Sequence, residues 1–290
     1  MKTLKGVIAG GLLTLFSAQA SAIMTTPSTS ASDLVNTLLG TGITISGTPT
    51  LTSGSTSAGT FTGGLSSGIG IDSGIVLTSG DVGLIDNTNN SDSATGNFGG
   101  AGDSDLDGLI PGYNTYDATI LEFAFTSTSG DLFFNYVFGS EEYNEYVNSS
   151  FNDVFGFFLD GVNIAIAPDG NPVSINNVNC GNPYSGSGPN CEYYNNNDLT
   201  DGGPFYNFEY DGFTDVFTAS ATGLGAGTHT IKLAIADAGD SILDSGVFLE
   251  AGSFQDEPSN GGTVPEPGTI VLLGAGLLGM GAAARRRRHQ

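Results

Sequence analysis

Between residues 23 and 264 this chain carries 29 acidic side chains and one basic side chain, Lys232. Of its 30 Asp and Glu residues only Glu266 lies outside that stretch, and of its seven Lys and Arg residues only Lys232 lies inside, a net charge of −28 with His229 neutral. No fold of this stretch can neutralise its carboxylates with its own cations. Each must stay hydrated, keep its proton or meet a metal ion, because an unpaired buried charge costs several kcal/mol. The surplus also sets self-repulsion against compactness, and a divalent ion is the natural counter-charge. Nucleic acid and anionic lipid are excluded as electrostatic partners of the same stretch.

The stretch is long enough for one large core. The chain's 45 glycines, its many Ser, Thr and Asn residues and the absence of Trp point to strands joined by turns. One short helix is expected near the start, capped by Ser30 or Ser32, carrying Leu34, Val35, Leu38 and Leu39 and stopping at Gly40. Strands are expected over residues 43–46, 74–79, 119–126, 132–138, 154–160, 162–167, 213–219, 229–237 and 246–253. Ile231, Leu233 and Ile235 alternate with Thr230, Lys232 and Ala234, the period of a strand with one buried face, whereas residues 155–159 are apolar on both faces. Flexible connections are expected at residues 48–70, 86–102 and 176–203.

Both cysteines, Cys180 and Cys191, lie in the last of these connections. In an exported chain an even count favours a disulfide, and closing a loop of roughly a dozen residues stabilises by about 3 kcal/mol through loop-closure entropy. A metal site there lacks further Cys or His ligands.

The two ends of the chain agree on export. Lys2 and Lys5 precede an apolar run over residues 6–16, and Ala18-Gln19-Ala20 and Ala20-Ser21-Ala22 supply small-residue cleavage sites, the pattern of a Sec signal peptide over residues 1–22. At the other end, after a linker at 256–263, the tail of residues 264–290 places Pro265, Glu266 and Pro267 before an apolar run at 269–284 and then Arg285, Arg286, Arg287 and Arg288. The run's 16 residues fall slightly under the roughly 17 to 25 of a transmembrane helix, a gap closed by snorkelling or local thinning. The arginines hold their end on the cytoplasmic side, so Pro-Glu-Pro faces outward as an extended segment. The plain alternative is an anchor that is never cut. This layout resembles the PEP-CTERM sorting signal, a resemblance that implies processing by an exosortase in a Gram-negative bacterium and a cell-surface or extracellular-matrix destination.

Residues 68–254 resemble the choice-of-anchor L domain. The resemblance rests on six blocks in order: Gly74 to Gly80, Asp103 to Leu106, Tyr116 to Phe123, Phe138 to Tyr143, Asn152 to Leu159 and Ile235 to Leu249. It implies an extracellular, anchored, β-rich module without an established catalytic role.

Three acid clusters are candidate calcium ligands. Asp103, Asp105 and Asp107 followed by Gly108 have the Asp-x-Asp-x-Asp-Gly order of a calcium loop, although Asn114 stands where a bidentate acid belongs. Glu141, Glu142 and Glu145 surround Tyr143, and Asp237, Asp240 and Asp244 precede an apolar strand. The bland alternative is a solvated acidic rim. Gly64-Leu65-Ser66-Ser67-Gly68 matches a nucleophile elbow only in form, because no strand-turn-helix pattern surrounds it and His229 is the mature stretch's lone histidine. No spacing singles out a carboxylate pair for glycoside hydrolysis. Residues 179–213, with Tyr184, Tyr193, Tyr194, Tyr206 and Tyr210, offer rings and amides to a saccharide or protein, or simply pack on the domain.

The expectation is therefore an all-β chain, a β-sandwich of jelly-roll-like topology over residues 23–255 with one short N-terminal helix and a C-terminal transmembrane helix. It is exported through the Sec translocon, sorted by an exosortase and stabilised by Ca2+, and it serves as a non-enzymatic adhesive or structural module of extracellular polysaccharide or biofilm. The competing class is a lectin or carboxylate-dependent glycoside hydrolase acting on the same matrix.

Overall fold

The computed structural model describes residues 22–258. All but the last residue of the expected signal peptide, the sorting residues Pro265, Glu266, Pro267 and Arg285 to Arg288, and the expected membrane segment lie outside them. Among the described residues no helix is long and apolar enough to cross a membrane.

In chain order the elements are β1 (Met24–Pro27), α1 (Ala31–Leu38), β2 (Ile43–Thr52), β3 (Ala58–Thr62), α2 (Gly64–Ser67), β4 (Gly74–Thr78), α3 (Ser104–Leu109), β5 (Thr115–Ser127), β6 (Leu132–Ser140), β7 (Val154–Leu159), β8 (Val162–Asn163), β9 (Tyr194–Asn196), β10 (Gly212–Thr214), β11 (Phe217–Ala221), β12 (His229–Ala238) and β13 (Ser245–Glu250). They form two antiparallel sheets. One has the order β1-β3-β4-β13-β6-β10-β9, with β11 beside the first half of β6, and the other has the order β2-β5-β12-β7-β8. Numbered among themselves, β4, β5, β6, β7, β8, β11, β12 and β13 read 1-8-3-6 in the first sheet and 2-7-4-5 in the second, the double Greek key of a jelly roll.

Alternation decides the packing. Leu121, Phe123 and Phe125 of β5, Phe155 and Phe157 of β7 and Ile231, Leu233 and Ile235 of β12 face Phe134, Tyr136 and Phe138 of β6 and Val247 and Leu249 of β13 across the central core. Both outer faces are covered too. Val76, Val137 and Phe248 carry Phe208, Tyr210 and Phe213, while Val154, Phe158 and Ala234 lie under Leu106 and Ile110 at α3. Two-sided cover explains why β4 and β7 are buried at every residue.

At α1 the Ser30 hydroxyl accepts from Asp33 N at 3.3 Å, and Leu34, Val35 and Leu38 face the core. Elsewhere local chemistry moves boundaries. Residues 48–70, expected to be flexible, instead carry the end of β2, all of β3 and α2, because their threonines suit an extended chain better than a loop. The strand expected over 162–167 stops at Asn163, whose side chain accepts from Phe157 N and Ala165 N and takes the place of strand pairing. The expected 213–219 strand is split into β10 and β11, and residues 176–203 contain β9 besides the bridge from Cys180 to Cys191.

Antiparallel pairing sends the connections to two ends. Residues 79–114, 141–153, 197–211 and 239–244 gather at one. At the other lie the 128–131 turn and the last described residues, where Gln255 pairs with Phe133 and Asp256 N donates to Thr41 O at 3.1 Å.

The Phe157 ring lies 5.0 Å from those of Phe134 and Tyr136 and 5.1 Å from that of Phe155. Phe157→Ala is expected to cost about 3–5 kcal/mol. Phe205→Ala, at a side chain 61% exposed, should stay within about 0.5 kcal/mol of the parent. Denaturant midpoints at matched slopes check both.

Candidate functional site

The end that gathers the acidic connections is assembled around a tyrosine. Gly139 of β6 and Gly246 of β13 stand opposite each other, and a Cβ on either would come within 2.9 and 2.8 Å of the Tyr210 ring. The ring fills that slot and its hydroxyl lies 3.1 Å from Thr78 Oγ1. Docking Tyr210 brings its neighbours Glu209 and Asp211 onto the same end.

Two of the expected ligands clasp the loop after β4. Asp244 accepts from Gly96 N at 2.8 Å and Asp81 N at 3.3 Å, and it occupies the space a side chain at Gly80 would take. Glu141 Oε2 accepts from Ala94 N at 3.2 Å, while Oε1 is buried without a partner. Burial raises the Asp244 carboxyl to about 6 against the pull of those amides. Burial pushes Glu141 up as well, reinforced by the negative charge of Asp211.

Glu142 and Asp237 belong to a second group, centred on Asp153. Asp153 Oδ1 accepts from Ala238 N at 2.8 Å, and Oδ2 lies 2.6 Å from Ser245 Oγ, which is 2.7 Å from Ser140 Oγ. The Ser245 hydroxyl donates to the Asp153 carboxyl and also contacts the Ser140 hydroxyl, so the two serines orient the buried acid. Burial lifts Asp153 to about 8 and Glu142 to about 10, the latter helped by the charge of Asp153. Asp237 is pushed up by burial and then by Asp153, and its Oδ1 has no partner. Asp240 accepts from Ile242 N at 3.2 Å, and its charge adds to the push on Glu142 and Asp153.

A third group joins Glu145 to three acids that sequence reasoning did not select as ligands. Asp92, Asp198 and Asp211 each place an oxygen within 4.8 Å of the other two. Beside them Glu145 and Asp198 share the Thr200 hydroxyl, at 3.3 and 2.8 Å. Asp211 is raised to about 9, first by burial and then by its acidic neighbours, against the hydrogen bond from Asn89. The three aspartates come from loops 106 residues apart in the sequence, so no local spacing reveals them. The only signal was the Asn and Asp richness of both loops.

Asp103, Asp105 and Asp107 do not join these groups. Their stretch is helical, with Asp103 as the N-cap of α3, accepting from Asp105 N and Leu106 N. Lys232 Nζ donates to Asp103 at 2.6 Å and Asp105 at 2.8 Å, and Asp107 accepts from Thr115 N at 2.8 Å. A helix start and the domain's lysine account for the same Asp-x-Asp-x-Asp spacing.

Ser66 sits in α2, and His229 in the other sheet is held by Asp160 Oδ2 at 2.6 Å, so the two are not paired. Of the insertion's rings, Tyr194 and Tyr210 are buried. Tyr184, Phe205 and Tyr206, with Asn195, Asn196 and Asp201, line an open groove of about 400 Å³.

A family model for the choice-of-anchor L domain matches residues 23–255, and one for the PEP-CTERM protein-sorting motif matches residues 263–288. No curated protein and no solved structure matches the chain. The sorting motif assigns the chain to exosortase processing, and the two matches together mark an exported bacterial protein associated with the cell surface.

The raised carboxyls fix a pH dependence. For Asp153 the folded-state value, about 8, exceeds its unfolded value near 3.8, so the folded state binds the extra proton and stability falls as pH climbs between them. In EDTA the melting temperature should drop by several degrees from pH 5 to pH 8. Asp153→Asn, which keeps both hydrogen bonds without a charge, should flatten much of that drop in a calorimetric scan.

Proposed function

The chain belongs to the choice-of-anchor L family and carries a PEP-CTERM tail, and on that premise we propose that it is a non-enzymatic adhesive or structural module of the extracellular polysaccharide matrix of a Gram-negative bacterium, stiffened by calcium. One observation carries the reading. Asp92 Oδ1, Glu141 Oε1, Glu142 Oε2, Glu145 Oε2, Asp211 Oδ2 and Asp237 Oδ1 are buried without a hydrogen-bond partner, all at one end of the sandwich. Orphaned anionic oxygens at this density call for protons or a hard cation. Neither His nor Cys stands among them, and an all-oxygen donor set suits calcium rather than zinc or copper. Calcium sites of extracellular modules work at about 10⁻⁴ to 10⁻³ M, which fits a protein that meets the ion only after export.

The same burial argues against catalysis. Glu141 and Glu142 are 0% and 1% exposed, and a general acid or base must come within hydrogen-bond reach of its substrate. The groove at Tyr184, Phe205 and Tyr206 favours a second reading, a lectin whose rings stack on sugar faces beside Asn and Asp side chains.

Thermal unfolding of the 23–262 fragment in EDTA, millimolar calcium or millimolar magnesium tests the first reading. Calcium at a hundredfold excess over its dissociation constant adds about 2.7 kcal/mol and should raise melting by a few degrees, with magnesium well below it. Equal shifts with both ions, or none, would leave the buried acids held by protons and amides alone and remove calcium from the reading. A matrix oligosaccharide that raises melting in the parent but not in Tyr184→Ala would establish the lectin. Deletion of residues 265–290 should abolish envelope retention and the processed size seen on gels; unchanged location and size would remove exosortase sorting from the account.

A further inference from the structure

We propose that Asp92, Asp198 and Asp211, with Glu145 completing the shell, hold one calcium ion that latches three loops of the sandwich together. The inference rests on the calcium reading above and assigns it a place.

The spacing fits the ion. Calcium takes oxygens at 2.3–2.6 Å, so two ligands on opposite sides of it stand about 4.8 Å apart, the distance within which the three aspartates present their oxygens. Asp211 is completely buried; its Oδ1 accepts from Asn89 Nδ2 at 2.5 Å and its Oδ2 has no partner. Asp92 Oδ1 and Glu145 Oε2 are likewise buried and unpartnered. Asp92 and Asp211 thus bring unused anionic oxygens to one place from separate segments, and Glu145, which shares the Thr200 hydroxyl with Asp198, offers another beside them.

Donors around the acids orient them without neutralising them. Asp198 Oδ1 accepts from Thr200 N at 2.6 Å and Thr200 Oγ1 at 2.8 Å, and its Oδ2 accepts from Asn144 N at 3.3 Å and Asn144 Nδ2 at 3.4 Å. Asp201 N also donates to Asp198 Oδ1 at 3.3 Å, so that oxygen is fully used and the long contacts at Oδ2 are the ones an ion would displace; such outer partners are what hold ligating carboxylates in aim. Lys232, the domain's only ammonium, is taken by Asp103 and Asp105.

The ligands come from the connections between β4 and β5, between β6 and β7, and between β9 and β10. An ion shared by all three fastens residues 197–211 to the sandwich. Asp201 lies three residues past Asp198 and holds Asn144 Nδ2 at 3.1 Å, so the same ion steadies one wall of the aromatic groove.

Terbium(III) reads the site directly, because the chain has no Trp and its ten tyrosines are the available sensitisers. The Tyr194 hydroxyl donates to Asn144 Oδ1 at 2.5 Å, and Asn144 in turn donates to Asp198. The full mature chain is titrated with terbium, with calcium and magnesium as competitors, beside Asp92→Asn, Asp211→Asn and, as a control on the lysine-paired acids, Asp105→Asn. The expected result is one equivalent of sensitised terbium displaced by calcium but poorly by magnesium. Affinity should fall at least tenfold in Asp92→Asn and Asp211→Asn and stay unchanged in Asp105→Asn. In EDTA the two ligand variants should melt at or above the parent temperature, since an amide removes the cost of keeping an acid among acids; this separates lost binding from lost folding. Parent-like calcium affinity and melting shift in both ligand variants would overturn this site while leaving the calcium reading standing. Failure of the parent to bind either ion would overturn both.

Discussion

An acidic side chain that leaves water must exchange its hydration for a proton, a donor or a cation, and this domain has almost no cations to offer. The jelly roll sharpens that demand. Because all its strands run antiparallel, the connections that follow β4, β6, β9 and β12 emerge together, and those connections carry Asp92, Glu141, Glu142, Glu145, Asp198, Asp211, Asp240 and Asp244. Topology thus concentrates at one end a charge that sequence spreads over about 150 residues.

Several devices keep that end folded. Backbone amides of residues 81–96 converge on Glu141 and Asp244, and the Ser140 and Ser245 hydroxyls relay to Asp153. Gly139, Gly246 and Tyr210 form a knob-and-slot that fixes where Asp211 stands. None of these supplies positive charge. They lower the cost of holding the acids in place and leave their oxygens free for an ion, and sites tuned for binding are commonly less stable empty than filled.

How much of this the sequence disclosed varied with the range of the interaction. The Ser30 cap, the alternation of Ile231, Leu233 and Ile235, and the bridge between Cys180 and Cys191 depend on neighbours a few to a dozen residues away, and all could be read directly. The strands of residues 48–62 hid behind a composition shared by loops and edge strands. Among the acids, Glu141, Glu142, Asp237 and Asp244 were legible as acids beside apolar strands. Asp103, Asp105 and Asp107 were ambiguous, because an Asp-rich turn followed by glycine and an N-capped helix start look alike until Lys232 arrives from 127 to 129 residues downstream. Asp92, Asp198 and Asp211 could not be read at all; only the fold makes them neighbours.

The last described residues pair with the start of β6, and the acidic loops follow its far end. Nine residues of strand separate the two, about 30 Å at 3.3 Å per residue. The described chain leaves the domain at the near end, so its exit and the acidic loops stand several Debye lengths apart, each about 8 Å. Whatever charge gathers at the exit is therefore screened from the acidic loops, whose field is set by the solution around them.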